Sequence, residues 1–212
     1  VGQVAQRDRP KRLSQFPNRR PQTSAPTYRS GASGHLSLLH LSPSTSTLRE
    51  VRIGLSAGAP TAERAIEQAV EAEAAGFTSL WYPGAVAGDP LVQMALAGRA
   101  TTNIELGTSV LQTYTSHPTL QASRIQAVAA AVGRSVTLGL GPSHQMGVER
   151  LGFSYDDVGR HTEEYVKAVA ELLGGDIPLL LAALGPRLLR VAGELAQGSI
   201  LWMANARAIE SH

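Results

Sequence analysis

Two short glycine-containing turns carry the residue types best suited to holding an anion and moving a proton. In Leu184-Gly185-Pro186-Arg187 an apolar run ends at Gly185 and a helical pattern opens at Pro186. Proline suits the first position of a helix, and first-turn amides lack intrahelical acceptors, so they and the positive helix end can hold a phosphate. Arg187, in that first turn, offers a second contact. The same residues also read as a plain helix start with a solvated arginine. In Gly139-Leu140-Gly141-Pro142-Ser143-His144, the small Gly139, Gly141 and Ser143 let a ligand approach a strand end closely, and His144 brings an imidazole to the same place. A Gly-x-Gly turn is a weak signal, and a loop histidine more often has a structural partner than a reaction to perform. His117, just before Pro118, either serves the site or shapes a helix entry; Trp81 and Trp202, at strand ends, either line a pocket or pack the core.

The elements that must position these turns repeat. From Val51 onward, short β-branched or apolar runs alternate with longer helical patterns, punctuated by Gly or Pro. Strands are expected at Val51 to Leu55, Ser79 to Tyr82, Ile104 to Val110, Ser135 to Leu140, Pro178 to Ala183 and Ser199 to Met203. The first helix is expected from Ala62 to Ala75, because Thr61 can accept from its first-turn amides and Gly76 supplies a left-handed stop. Its buried face reads Ala62, Ala65, Ile66, Ala69 and Val70. Asp89 and Pro90 open a second helix, and Pro118 a third whose stripe includes Ile125, Val128 and Val132. Each helix returns the chain to the edge it left, so the strands are parallel and the class is α/β.

Small, polar or Gly-rich segments follow nearly every strand. A doubly wound sheet concentrates its site at one switch point, whereas a barrel gathers all strand ends around one mouth, so the barrel is favoured. The first turn, Ser56-Ala57-Gly58-Ala59-Pro60, lacks the GxGxxG of a dinucleotide fold.

Charge is divided unevenly along the 212 residues. Residues 1–50 hold 8 Lys+Arg against 2 Asp+Glu, and the rest 11 against 15, within a net charge of +2. The body is acidic, so no basic groove for nucleic acid is expected. No apolar run approaches the ~20 residues of a bilayer span, so no membrane partner is expected. The absence of Cys excludes disulfides and thiol chemistry and fits a reduced, cytoplasmic setting. No metal site is read. Residues 1–50, rich in Arg, Ser, Pro and Gln without a sustained period, are expected to be a disordered basic tail. Pro10, Pro17, Pro21 and Pro26 argue against a transit helix, so an over-extended gene start is preferred, with the natural chain starting at Val51.

The run from Ala182 through Gly185-Pro186-Arg187 to Gly198 resembles the fifth βα unit of luciferase-like oxidoreductases that use the deazaflavin coenzyme F420. Leu106-Gly107-Thr108-Ser109-Val110 with Tyr114-Thr115-Ser116-His117-Pro118 resembles their third strand and loop, and Gly139 to His144 their fourth strand end. The likeness, to actinobacterial members above all, spans Val51 to His212. It implies a TIM-type (β/α) barrel and coenzyme F420, or alternatively FMN, at its mouth. It further implies a non-prolyl cis peptide at Ser109-Val110 behind the cofactor ring, and cofactor contacts from Gly139, Gly141, Ser143, Gly185, Pro186 and Arg187. The activity implied is hydride transfer between F420 and a small organic substrate; the alternative is FMN-dependent monooxygenation, in which a histidine such as His144 can act on the flavin peroxide. Members often dimerise, so a homodimer is one implied assembly.

Two departures qualify the likeness. Gly174-Gly175-Asp176 leads directly into Ile177-Pro178, where relatives carry a longer excursion, and the strand pattern covers about six of a barrel's eight βα units. An incomplete barrel leaves two open parallel edges, through which chains can associate. A non-catalytic remnant of such an enzyme is therefore the expectation of a different class.

Overall fold

The structure, a computed structural model, describes residues 52–84 and 88–205. The expected tail, its boundary and the start at Val51 lie outside the described residues. Parallel strands alternate with helices: β1 (Gly54–Ser56), α1 (Ala62–Ala74), β2 (Ser79–Tyr82), α2 (Pro90–Ala100), β3 (Glu105–Thr108), β4 (Leu111–Gln112), α3 (Pro118–Val132), β5 (Leu138–Gly141), α4 (Gln145–Arg150), α5 (Val158–Leu173), β6 (Leu179–Ala182), α6 (Pro186–Leu195) and β7 (Gly198–Ile200).

Local chemistry explains the helix limits. Thr61 Oγ1 accepts from the Arg64 amide at 3.2 Å to open α1, and Gly76, at φ 83°, turns the chain away after it. Asp89 Oδ1 accepts from the Leu91 amide at 2.8 Å and Pro90 occupies the first turn of α2. The other Asp89 oxygen pairs with Arg124 of α3, tying neighbouring helices. α3 ends at Gly133 and α5 at Gly174, both left-handed.

The strands run in sequence order, β1-β2-β3 and then β4-β5-β6-β7, all parallel. A bridge between Gly107 and Thr137 joins the two groups. β3 and β4 share the third position, so six barrel positions are described, and among the described residues β1 and β7 each have one strand neighbour. Leu80, Leu106, Leu138, Leu140 and Leu181 from the strands meet Met94, Ile125, Val166 and Val169 from the helices, all essentially sealed from solvent. Burying these side chains is the main drive for wrapping helices on the sheet, worth about 1.5–3 kcal/mol each.

Several sequence expectations are corrected. The first strand is three residues long and Ile53 is exposed. The third does not run unbroken from Ile104 to Val110: it stops at Thr108, passes the cis peptide at Ser109-Val110 that the resemblance implied, and resumes at Leu111. The sixth stops at Ile200, leaving Trp202 and Met203 exposed. On α1 the buried face is Ala65, Ala69 and Ala72, with Ala62 and Val70 outward, so contact with the sheet and α2 uses the smallest side chains. α4 is unforeseen, being too short to show a period.

The end of the barrel opposite the mouth is held by two charged clamps. The Glu73 carboxylate on α1 accepts from the amides of Thr102, Asn103 and Ile104 at 3.0, 2.6 and 2.9 Å, and Arg134 donates to the carbonyls of Gly98, Thr101 and Ile104, each at 2.9 Å. The amides of Asn103, then Ile104, hold the Glu73 carboxyl below its ordinary 4.5, against the opposing effect of burial. A lowered folded pKa gives stability that is fully present above the unfolded value and lost as pH falls through the folded one. Melting temperatures measured from pH 7 down through 4.5 should therefore show a fall below 4.5 that is shallower in Glu73→Gln, with the variant less stable at neutral pH. An identical acid slope in the two proteins would show that Glu73 is not the group responsible.

Candidate active site

The carboxyl ends of the strands surround a cavity of about 460 Å³, within the usual size of ligand sites. Its wall takes Ser109 and Val110 from the break between β3 and β4, Pro142, Ser143 and His144 after β5, Ala182, Leu184 and Gly185 at the end of β6, and Ile200 and Trp202 at and beyond β7. Tyr155, Val158 and Leu188 close it from the helix side. The lining is mainly apolar, with His144 and Tyr155 its titratable groups.

The position of Ser109 and Val110 depends on Thr108. Its hydroxyl, fully buried, donates to the Gly139 carbonyl and accepts from the Gly139 amide, both at 2.8 Å. A side chain thus does the work of a ladder pair where backbone pairing between β3 and β5 gives out. Beyond it, the Ser109 amide donates to the Tyr82 carbonyl at 3.0 Å and the Val110 carbonyl accepts from the Gly84 amide at 3.2 Å, so both sides of the cis peptide are anchored to the second strand position.

The nine residues expected from sequence fall into two groups. Ser109, Val110, Ser143, His144 and Gly185 line the cavity. Gly139 and Gly141 lie within β5, and where close ligand approach was expected the structure places protein atoms. A Cβ on Gly139 would collide with the Thr108 carbonyl, and one on Gly141 would stand 2.7 Å from Val110 Cγ2 and 2.9 Å from Ala182 Cβ. Pro186 is the first residue of α6, and Arg187 bridges Asp157 Oδ1 at 3.1 Å and Glu163 Oε2 at 3.3 Å over the bare Cα of Gly159. Asp157 is held below the ordinary carboxylate range first by the Arg160 amide and then by the Arg160 and Arg187 charges.

Gly185 is different from the β5 glycines. Its φ of −118° suits any residue and a Cβ there would meet no protein atom, so neither backbone nor packing calls for glycine. It precedes Pro186 at the start of a ten-residue helix that no side chain caps. His144 holds the corresponding place before α4, also without a capping bond, and Ser143 before it has φ 69°. The Tyr155 hydroxyl donates to the Ser143 carbonyl at 2.8 Å and so fixes the turn that presents His144. Tyr155 was missed in the sequence because nothing local marks it; only the fold brings it back across α4. His117 takes the structural role, its Nδ1 accepting from the Thr119 amide at 3.3 Å, while Trp81 both packs inside the barrel against Gly107 and lines a smaller cavity with Ser109 and Ile200.

This mouth, formed by a broken third strand and a Gly-Pro helix start after the fifth, is the arrangement the resemblance implied. Residues 43–177 match the sequence model of the luciferase-like monooxygenases. The chain belongs to the luciferase-like monooxygenase family. The match begins eight residues before Val51, inside the segment assigned to the tail, and ends before the Ala182 to Gly198 run. The 5,10-methylenetetrahydromethanopterin reductase of Methanolobus tindarius is 26% identical over 162 residues, 66% of this chain and 50% of that protein. Among solved structures, the coenzyme F420 dependent tetrahydromethanopterin reductase from Methanopyrus kandleri has a TM-score of 0.64 at 21% identity, over 75% of this chain and 57% of that one. The oxygenating constituent of 3,6-diketocamphane monooxygenase from Pseudomonas putida, in complex with FMN, has a TM-score of 0.58 at 16% identity, over 70% and 57%. The luciferase-like chain therefore shares the barrel of these structures and spans about half the length of the curated relative it matches. Among its described residues no cluster of three or more His, Asp or Glu could hold a metal, and no helix is long and apolar enough to cross a membrane.

In this luciferase-like chain, Thr108→Val keeps the shape of the side chain but removes both hydrogen bonds to Gly139, leaving its amide and carbonyl buried. The expected loss is about 2–4 kcal/mol in urea unfolding. A loss under about 0.5 kcal/mol would mean that the strand break is held by other contacts.

Proposed function

We propose that the chain is an oxidoreductase that transfers a hydride between coenzyme F420 and a small organic substrate at the strand mouth. The observation that carries this is Gly185: a residue whose glycine is demanded by neither conformation nor packing, lining the cavity at the start of an uncapped helix. A bare Cα there leaves room for a phosphate-bearing cofactor to reach the first-turn amides of α6. Val110, Ala182, Leu188 and Ile200 offer an apolar surface suited to a flat ring, with the cis peptide Ser109-Val110 behind it. The reductases among the relatives, including the coenzyme F420 dependent reductase from Methanopyrus kandleri, support the deazaflavin over FMN.

The roles of the residues follow from their places. Gly185 and the amides after Pro186 would hold the phosphate, with Arg187 adding positive charge from one turn inside the helix. Because Asp157 and Glu163 already share that guanidinium, Arg187 contributes chiefly as a fixed charge at the helix start, and reaching the ligand directly would require it to leave one of them. Gly139 and Gly141 act indirectly, by giving Val110 and Ile200 the space that sets the cavity wall. Ser143 and His144 stand over the opening, where the imidazole can hold or move a proton of the substrate; Tyr155 positions that turn. When bound, F420 supplies a two-electron hydride donor or acceptor, and the protein supplies binding, orientation and exclusion of water. Leu184 and Trp202, exposed at the rim, offer apolar surface for an organic substrate. The homodimer and a cytoplasmic location belong to the same proposal.

Fluorescence titration of the purified chain with F420 and, separately, with FMN tests it. Saturable F420 binding is expected, at least tenfold weaker in Gly185→Val, whose melting temperature should match the parent because a side chain there meets open space. Binding of FMN alone would replace the deazaflavin assignment with a flavin one; binding of neither by the folded chain would identify the non-catalytic remnant.

A further inference from the structure

On the outside of the barrel, α2 and α3 differ from the other long helices. A helix that lays one face on a sheet normally turns a charged face to water, as α1 does with Glu63, Arg64, Glu67 and Glu71, and α5 with Arg160, Glu164, Lys167 and Glu171. In contrast, α2 carries one charged side chain, Arg99, and α3 one, Arg124. Their outward stripes are apolar: Val92, Ala95 and Leu96 on α2, and Leu120, Ala127 and Ala131 on α3. Val92 is 57% and Leu120 54% exposed. Helices that are apolar on both faces belong between two packed layers, so the outer face of this pair calls for a cover.

Between the two helices runs a groove of about 450 Å³, walled by Leu91, Val92, Ala95 and Leu96 from α2 and by Ala127, Val128 and Ala131 from α3. Its three charges indicate what fills it. Asp89, at the start of α2, pairs with Arg124 of α3. Arg99, near the other end of α2, is exposed and has no ion-pair partner among the described residues. The two ends of α2 thus carry opposite charges about 15 Å apart along the helix, with the small Ala95 close to the midpoint.

We infer that this face is the interface with a second copy of the chain, related by a two-fold axis that crosses α2 near Ala95. An axis perpendicular to the helix runs the two α2 helices antiparallel, which brings Arg99 of each copy to Asp89 of the other. The Asp89 carboxylate has acceptor capacity beyond Arg124 and the Leu91 amide, so it takes both guanidinium groups. Val92 and Leu96 of each copy form the ridge that enters the groove between α2 and α3 of the other, and the alanines let the helix axes approach to about 8–10 Å. Antiparallel helices also set opposite dipole ends side by side. This gives a face to the homodimer of the proposed function, and it holds whichever cofactor the mouth takes.

Sedimentation equilibrium of the full chain tests it, with variants confined to the outer face and checked for folding by circular dichroism. A two-chain mass is expected for the parent, and at least tenfold weaker association in Val92→Glu and in Arg99→Glu. Glutamate suits the third position of a helix, so Val92→Glu leaves α2 itself intact. Because the chain has no cysteine, Ala95→Cys should link to its own copy on oxidation, whereas Lys167→Cys, on the outer face of α5, should not. Three results would overturn the assignment: a monomeric parent, variants that associate as the parent does, or equal linking by the two cysteine variants. The last two would assign association to the open edges of β1 and β7 instead. Mass rather than cofactor binding is the readout, so failure here is separate from failure of the F420 titration.

Discussion

The hydroxyl of Thr108 is the interaction on which the mouth depends. A parallel barrel closes by uniform pairing of neighbouring strands, but a strand that must turn a peptide into the mouth has to give up part of its ladder. Thr108 makes both bonds to Gly139 that the backbone can no longer make, in a place sealed from water where unpaired groups would cost about 1–3 kcal/mol each. Held there, the chain can pass through the cis peptide, present Ser109 and Val110, and rejoin the sheet as β4. The requirement reaches across the barrel: Gly139 must lack a side chain because the Thr108 carbonyl and Ile200 occupy that space.

The glycines of the site divide by physical role. Gly139 and Gly141 are small so that the protein can fill itself, while Gly185 is small next to open space. Sequence alone treats all three alike, because each follows the same pattern of a small residue near a strand end. Arg187 shows a similar division: its spacing marks it as a phosphate ligand, yet α5 brings Asp157 and Glu163 to its guanidinium and makes it a bridge between helices. Both cases show that the chemistry of a barrel mouth is decided between neighbouring βα units and not within one.

Much of the frame was legible because its signals are local. Thr61, Asp89 and Pro118 open helices where capping chemistry says they should, and Ile125, Val128 and Val132 form the buried stripe of α3. Failures occurred where tertiary contact overrides pattern. Val70 is apolar but exposed, since alanines pack α1 against its neighbours, and the run from Ile104 to Val110 looks like one strand because β-propensity alone cannot register the cis peptide, which only the resemblance implied. The aromatic cluster of Tyr114, Phe153, Tyr155, His161 and Tyr165 was illegible as a unit. Only His161 and Tyr165 share a helical face in sequence; Tyr114 arrives from the loop after β4, and Phe153 and Tyr155 from the loop between α4 and α5.

By itself the sequence determined the parallel α/β class, because periodicity and caps are properties of adjacent residues, and the family resemblance, because the Gly-Pro and Ser-Val motifs that carry it are also local. The tertiary structure alone decided which of the marked residues face the mouth, that Tyr155 holds the turn of His144, and that Arg187 is shared with two carboxylates. The physical reason is that direction and partnership are set by packing between elements far apart in the chain, and a hydrogen bond or a filled space exists only once both sides of it have been brought together.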